Sequence, residues 1–97
     1  MNNCEIEYEF TAKIWYSEWY FVSLPKELSK DIRESFMHLE EGWGRLKTFA
    51  KIGNSEWRTA IWFDTKQQTY LLPIKAEIRK KEKVGKNDEV KVCLSME

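Results

Sequence analysis

Polar and apolar residues alternate one by one from Glu5 to Tyr16. Ile6, Tyr8, Phe10, Ala12, Ile14 and Tyr16 fall on one side, and Glu5, Glu7, Glu9, Thr11 and Lys13 on the other. This sustained period of two predicts a strand with one face in a core and a glutamate-rich face in water. Ser17-Glu18 predicts a short turn, and Trp19 to Leu24 a second strand. After Pro25 the period changes. Leu28, Ile32, Phe36 and Leu39 recur at spacings of four, four and three, which predicts a helix from about Lys26 to Glu41. Gly42-Trp43-Gly44 then ends it, glycine being favoured just past a helix C-terminus.

Alternation resumes in the second part of the chain. Leu46, Thr48, Ala50 and Ile52 alternate with Lys47, Phe49 and Lys51, and Gly53-Asn54 supplies residues tolerant of positive φ for a hairpin. The returning strand, Trp57 to Phe63, carries Trp57, Thr59, Ile61 and Phe63 on one face. Asp64 to Gln68 is a polar connection and Thr69 to Leu72 a further strand. Ile74 and Ile78 begin a short basic helix, Gly85 to Asp88 form a turn, and Val90, Val92, Leu94 and Met96 mark the last strand.

One unit appears twice, 48 residues apart: Leu24-Pro25-Lys26-Glu27-Leu28 and Leu72-Pro73-Ile74-Lys75-Ala76. Each proline follows an extended hydrophobic stretch and precedes a helical spacing. Proline lacks a strand donor but is pre-set for the first helical turn, so it marks a strand-to-helix switch. Two such switches predict two related halves. The order β β α β β β α β is not that of a doubly wound sheet, which needs regular strand–helix alternation. The expected fold class is mostly β: a single domain over residues 1–97, a small barrel of about six strands with two helices and two pseudo-repeated halves. Closure into a barrel removes exposed strand edges.

Composition narrows the class. The chain has 97 residues, 42% hydrophobic and 14% aromatic, which suits one folded domain. No apolar run approaches the ~18 residues needed to span a bilayer, and Met1 to Glu5 lacks signal-peptide order. A cytoplasmic protein with no membrane partner is expected. Its two cysteines, Cys4 and Cys93, are then expected to stay reduced. One histidine and no CxxC spacing leave too few zinc ligands, and no cofactor is expected. Net charge is zero, yet residues 1–48 hold 6 Lys/Arg against 9 Asp/Glu, and residues 49–97 hold 10 against 7. The basic excess sits in Lys75, Arg79, Lys80, Lys81, Lys83 and Lys86.

Several pieces in order resemble a known family. They are Phe10-Thr11-Ala12, Trp19-Tyr20-Phe21-Val22-Ser23-Leu24-Pro25, Gly44-Arg45-Leu46, Trp57-Arg58-Thr59-Ala60, the stretch Tyr70 to Lys81 and the stretch Gly85 to Val92. Together they resemble the bacterial domain-of-unknown-function family nineteen-zero-five, from about Tyr8 to Leu94. The resemblance implies a double-split β-barrel with two pseudo-repeated halves, similar in fold to DNA-binding domains of the AbrB and MazE kind. Asn87 stands where that pattern has glycine before Asp88; asparagine tolerates the left-handed conformation, so the turn is expected to survive.

Catalysis is not expected. His38 lacks a partner set, the serines lie in no nucleophile-elbow context, and the four glycines are scattered singly. The expected role is binding of a small molecule or a protein, with Trp43, Trp57 and Trp62 as ligand contacts. Trp15 and Trp62 fall opposite the main apolar faces of their strands, so they are either covered by the long helix or exposed as a patch. The alternative is a DNA-binding regulator using the basic helix at 74–83, with Lys75, Arg79, Lys80, Lys81 and Lys83 on phosphates. A monomer is expected, since the second half replaces a partner subunit.

Overall fold

The computed structural model describes residues 7–96, the side chain of Trp43 excepted. Cys4, and with it any pairing to Cys93, lies outside the described residues, as do Glu5, Ile6 and Glu97. The first alternating run forms two strands, β1 (Glu7–Lys13) and β2 (Trp15–Tyr16), broken at Ile14. There follow β3 (Tyr20–Ser23), α1 (Lys26–Phe36), β4 (Arg45–Ile52), β5 (Ser55–Asp64), β6 (Thr69–Pro73), α2 (Ala76–Glu82) and β7 (Glu89–Met96).

All seven strands join one sheet in the order β1-β7-β4-β5-β6-β3-β2, with every pairing antiparallel. β1 and β2 are consecutive in the chain yet stand at opposite ends of that order, so the sheet must curl until its edges approach at Ile14. Ile14 is fully buried there. Its N–H donates to the Asp88 carbonyl at 2.9 Å, and its carbonyl accepts from the Asn87 N–H at 2.8 Å. The fold is therefore mostly β and barrel-like, as expected, but with a seventh strand created by the break at Ile14. Its edges are joined through the chain, with no β1–β2 ladder among the described residues.

The two halves, β1–β3–α1–β4 and β5–β6–α2–β7, follow the same path. β1 pairs with β7 and β5 with β4, so the first strand of each half completes a ladder with the last strand of the other. β3 and β6 pair with Val22 opposite Leu72, which sets the internal repeat at 50 residues. That register replaces the 48-residue spacing of the Leu-Pro units. Pro25 occupies the position just before α1, whereas Pro73 ends β6 and Lys75 precedes α2. The two prolines are not structural equivalents.

The concave face of the sheet encloses Phe10, Val22, Leu46, Ile61, Leu72 and Leu94, with Ile32 of α1 and Ile78 of α2 closing the ends. Asn87 takes the left-handed conformation its turn was expected to need, at φ 74°. α1 is shorter than the spacing predicted. It stops at Phe36 and a single 3-10 turn, Met37–Leu39, follows. Glu40 then turns extended, and its carboxylate accepts from the Tyr70 hydroxyl at 2.6 Å and from Arg33 Nη1 at 3.2 Å. The Arg33 guanidinium lies 3.9 Å from the centre of the Phe63 ring, which meets Tyr70 edge-on at 5.0 Å. A second link runs from α1 to the same strand: the Tyr70 N–H donates to the buried Ser29 Oγ at 3.0 Å.

Burial, and then the Glu40 carboxylate, raise the Tyr70 phenol well above its ordinary value of 10.0. The folded state thus keeps a proton that the unfolded chain releases first. The stability from this group is fully present below pH 10 and lost as pH rises beyond it. Tyr70→Phe should accordingly show a shallower fall in stability than the parent chain in alkaline urea titrations. Ser29→Ala removes a buried acceptor and should cost about 1–3 kcal/mol in urea unfolding at neutral pH.

Candidate ligand cleft

β5 and β6 are neighbours over only a short length. Their ladder joins Trp62, Phe63 and Asp64 to Leu71, Tyr70 and Thr69 and stops there. Beyond that point β5 runs back to Ser55 against β4, while β6 continues to Pro73 against β3. Pro73 has no N–H to offer a neighbour on either side. The strands part, and a cleft of about 600 Å³ opens between them. That volume falls in the ~300–1,000 Å³ range usual for small-molecule sites.

Trp57, Arg58, Thr59 and Trp62 of β5 form one wall. Leu71 and Pro73 of β6, Lys75 beyond it, and Trp19 and Phe21 around β3 form the other. Register explains much of the floor. Trp62 stands opposite Leu71, Leu71 opposite Ser23, and Pro73 opposite Phe21, so these side chains share the convex face. Behind Phe21, the Trp15 ring packs at 4.9 Å between centroids, and Trp15 Nε1 donates to Ser23 Oγ at 2.9 Å. No α1 residue lines the cleft, so the long helix does not cover Trp62.

Trp57 and Trp62, both expected as ligand contacts, are brought together here. Strict alternation puts them on opposite faces of β5, and Trp57 indeed packs into the core at 8% exposure. The split lets the cleft reach through the sheet plane, so one wall combines a concave-face tryptophan with a convex-face one. Trp43 is different. Its backbone lies in a 3-10 turn, Gly42–Gly44, and its side chain is outside the described residues. Trp19 was considered only as one of five tryptophans able to line a cleft, and Phe21, Leu71 and Pro73 were not singled out as contacts. The available signal was their shared parity in the Trp19–Ser23 and Thr69–Pro73 runs.

The basic residues of the second half differ in their surroundings. Arg79 is half-buried, with its guanidinium 3.7 Å from the centre of the Tyr20 ring and Nε donating to the Ile74 carbonyl at 3.2 Å. Lys75 and Lys81 each lie 3.7 Å from a carboxylate oxygen of Glu77. Lys80 and Lys83 are exposed. Lys75 alone of the five lines the cleft. Across the cleft the Arg58 guanidinium lies 5.5 Å from the Phe49 ring centre, while Arg45 lies 5.9 Å from that of Trp62. His38 is exposed in the 3-10 turn after α1. Among the described residues, no group of three or more His, Cys, Asp or Glu side chains is placed to hold a metal ion. No helix is long and apolar enough to cross a membrane among those residues.

A family model described as a domain of unknown function, DUF1905, matches residues 10–94. The chain belongs to the DUF1905 family. The match runs from Phe10 of β1 to Leu94 of β7, touches all seven strands and includes every residue of the cleft. Among curated proteins no match to this DUF1905 chain is found.

The cleft separates structural from accessible tryptophans. Trp57→Ala should cost roughly 3–5 kcal/mol in urea unfolding, because a buried ring leaves a cavity. Trp19 is 48% exposed, and Trp19→Ala should cost no more than about 1 kcal/mol while removing the most exposed indole among the described residues, read by acrylamide quenching.

Proposed function

We propose that this DUF1905 domain is a non-catalytic binding module whose β5–β6 split receives a flat, largely apolar small molecule. The observation that carries this reading is the aromatic wall at an interrupted ladder: Trp19, Phe21, Trp57 and Trp62 around one opening. Indole and phenyl faces offer large stacking areas at low conformational cost. The unpaired stretch of β5 adds backbone groups within reach of a guest. Nucleophile, base and oxyanion donors do not converge in the wall, whose polar side chains besides the indoles are Arg58, Thr59 and Lys75.

The DNA-regulator alternative has weaker support. Arg79 is held against Tyr20 and Glu77 interrupts the α2 face beside Lys75 and Lys81, which leaves a smaller exposed set of Lys80, Lys81 and Lys83 than the sequence offers.

Titration with the neutral dye N-phenyl-naphthylamine tests the reading. Binding in the micromolar range is expected, with quenching of tryptophan emission. Thr59→Phe, which fills the opening from β5, should abolish it with little change in melting temperature. Retention of dye binding by a folded Thr59→Phe variant would sink the cleft assignment. A labelled DNA duplex gives the opposing result: salt-sensitive binding, lost in Lys80→Glu/Lys81→Glu, would move function to the α2 face.

A further inference from the structure

Trp19, Trp57 and Trp62 line the cleft, whereas Trp15 does not. Trp15 is half-buried and lies outside the core cluster as well. Strand register nonetheless sets it one place from the wall. Trp15 stands opposite Phe21 in the β2–β3 ladder, and Phe21 stands opposite Pro73 in the β3–β6 ladder. Cross-strand partners point to the same face of a sheet, so these three rings form a row on the convex side with Phe21 in the middle. The Trp15 and Phe21 ring centroids are 4.9 Å apart, and their planes are tilted by 31°. A second row beside the first carries Ser23, Leu71 and Trp62 on β3, β6 and β5. Trp15 ties the two rows together, because its Nε1–H donates to Ser23 Oγ at 2.9 Å.

Resting on the small-molecule reading above, we infer that Trp15 is a positioning residue that makes the cleft selective for a flat guest. It acts through Phe21, which lines the opening. A phenyl ring that is only half-buried keeps several staggered χ1 wells unless its neighbours exclude them. Pro73 stands on one side of Phe21 and the Trp15 ring on the other, so the ring is confined between them. Trp15 can confine Phe21 only while it is itself held. β2 has two residues and stands at the end of the strand order, so its backbone gives the indole little hold. The bond to Ser23 supplies the second anchor, and the indole Nε1 is a donor only, which fixes the ring's orientation. Without Trp15, Phe21 gains room to swing away from the opening. The cleft then accepts a thicker guest and loses the ready-made fit to a planar one.

Two uncharged probes of different thickness read this role. N-phenyl-naphthylamine is built from flat rings, and adamantanol is globular and can be measured by its displacement of the dye. Trp15→Ala should lower the naphthylamine-to-adamantanol affinity ratio several-fold. Ser23→Ala keeps the indole and removes its anchor, and should lower the ratio in the same direction by less. Ser23→Thr keeps the hydroxyl and should retain the parent ratio. A loss of stability alone would weaken both probes together and leave the ratio where it was. Circular dichroism checks that each variant folds, and Ser23→Ala decides the matter if Trp15→Ala does not. A ratio unmoved in folded Trp15→Ala, or in Ser23→Ala, overturns the positioning role and leaves the cleft reading standing. So does a ratio that falls equally in Ser23→Ala and Ser23→Thr, since the hydrogen bond would then have no part in it. Failure of the parent chain to bind the naphthylamine overturns both.

Discussion

The pairing of β3 with β6 across Val22 and Leu72 is the constraint from which the rest of the architecture follows. It places the pseudo-dyad, since each half contributes an equivalent strand to one antiparallel ladder. It also commits the far end of β6 to β3. β6 leaves β5 after Leu71, and from there β5 keeps a ladder only with β4 and β6 only with β3. The cleft is what remains between the diverging lengths. It is a consequence of strand topology, and no side chain had to be removed to make room for it.

The β6–β3 wall of that opening is braced from both faces of the sheet. On the concave side, Ser29 and Glu40 hold the backbone and the hydroxyl of Tyr70, fixing β6 against α1 where the ladder to β5 ends. On the convex side, Trp15 backs Phe21 and is itself tied to Ser23. Arg79 caps Tyr20 and bonds to the Ile74 carbonyl, which joins α2 to the β3–β6 pair and so sets the path of the chain through Lys75. Packed aromatic and guanidinium groups of this kind have few alternative rotamers, so the cleft is largely formed before any ligand arrives.

Strand and helix positions were legible because the periods are clean. Ile6 to Tyr16 alternates, Leu28 to Leu39 does not, and the switch at Pro25 coincides with a change in backbone geometry. The end of α1 was not legible, because Leu39 keeps the helical spacing while Glu40 is drawn out to reach Tyr70, a residue 30 positions away. The same limit applies to the repeat. The Leu-Pro units suggest one register, but cross-strand pairing sets another, and pairing is a property of two segments at once. At the site, Trp57 and Trp62 were both expected as ligand contacts, but alternation places them on opposite faces and gives no reason for the cavity they share. Only the end of the β5–β6 ladder brings them together, and no local pattern marks where a ladder ends.

The convex face supplies an internal comparison that bears on why the cleft is aromatic. On the other half of the sheet many convex positions are charged: Glu9 and Lys91 form an ion pair across β1 and β7, and Lys47 and Lys51 flank Phe49 on β4. Those side chains show that the sheet folds with its convex face in water. Trp62, Phe21, Leu71 and Pro73 occupy the same side of the same sheet, and none of them belongs to the buried core. Folding alone therefore does not call for large apolar groups there. Exposed aromatic surface promotes association and is normally kept small. Trp19, 48% exposed, extends it further toward solvent at the β2–β3 turn. The proposed binding role accounts for a surface that the core does not require and that gathers where the β5–β6 ladder ends.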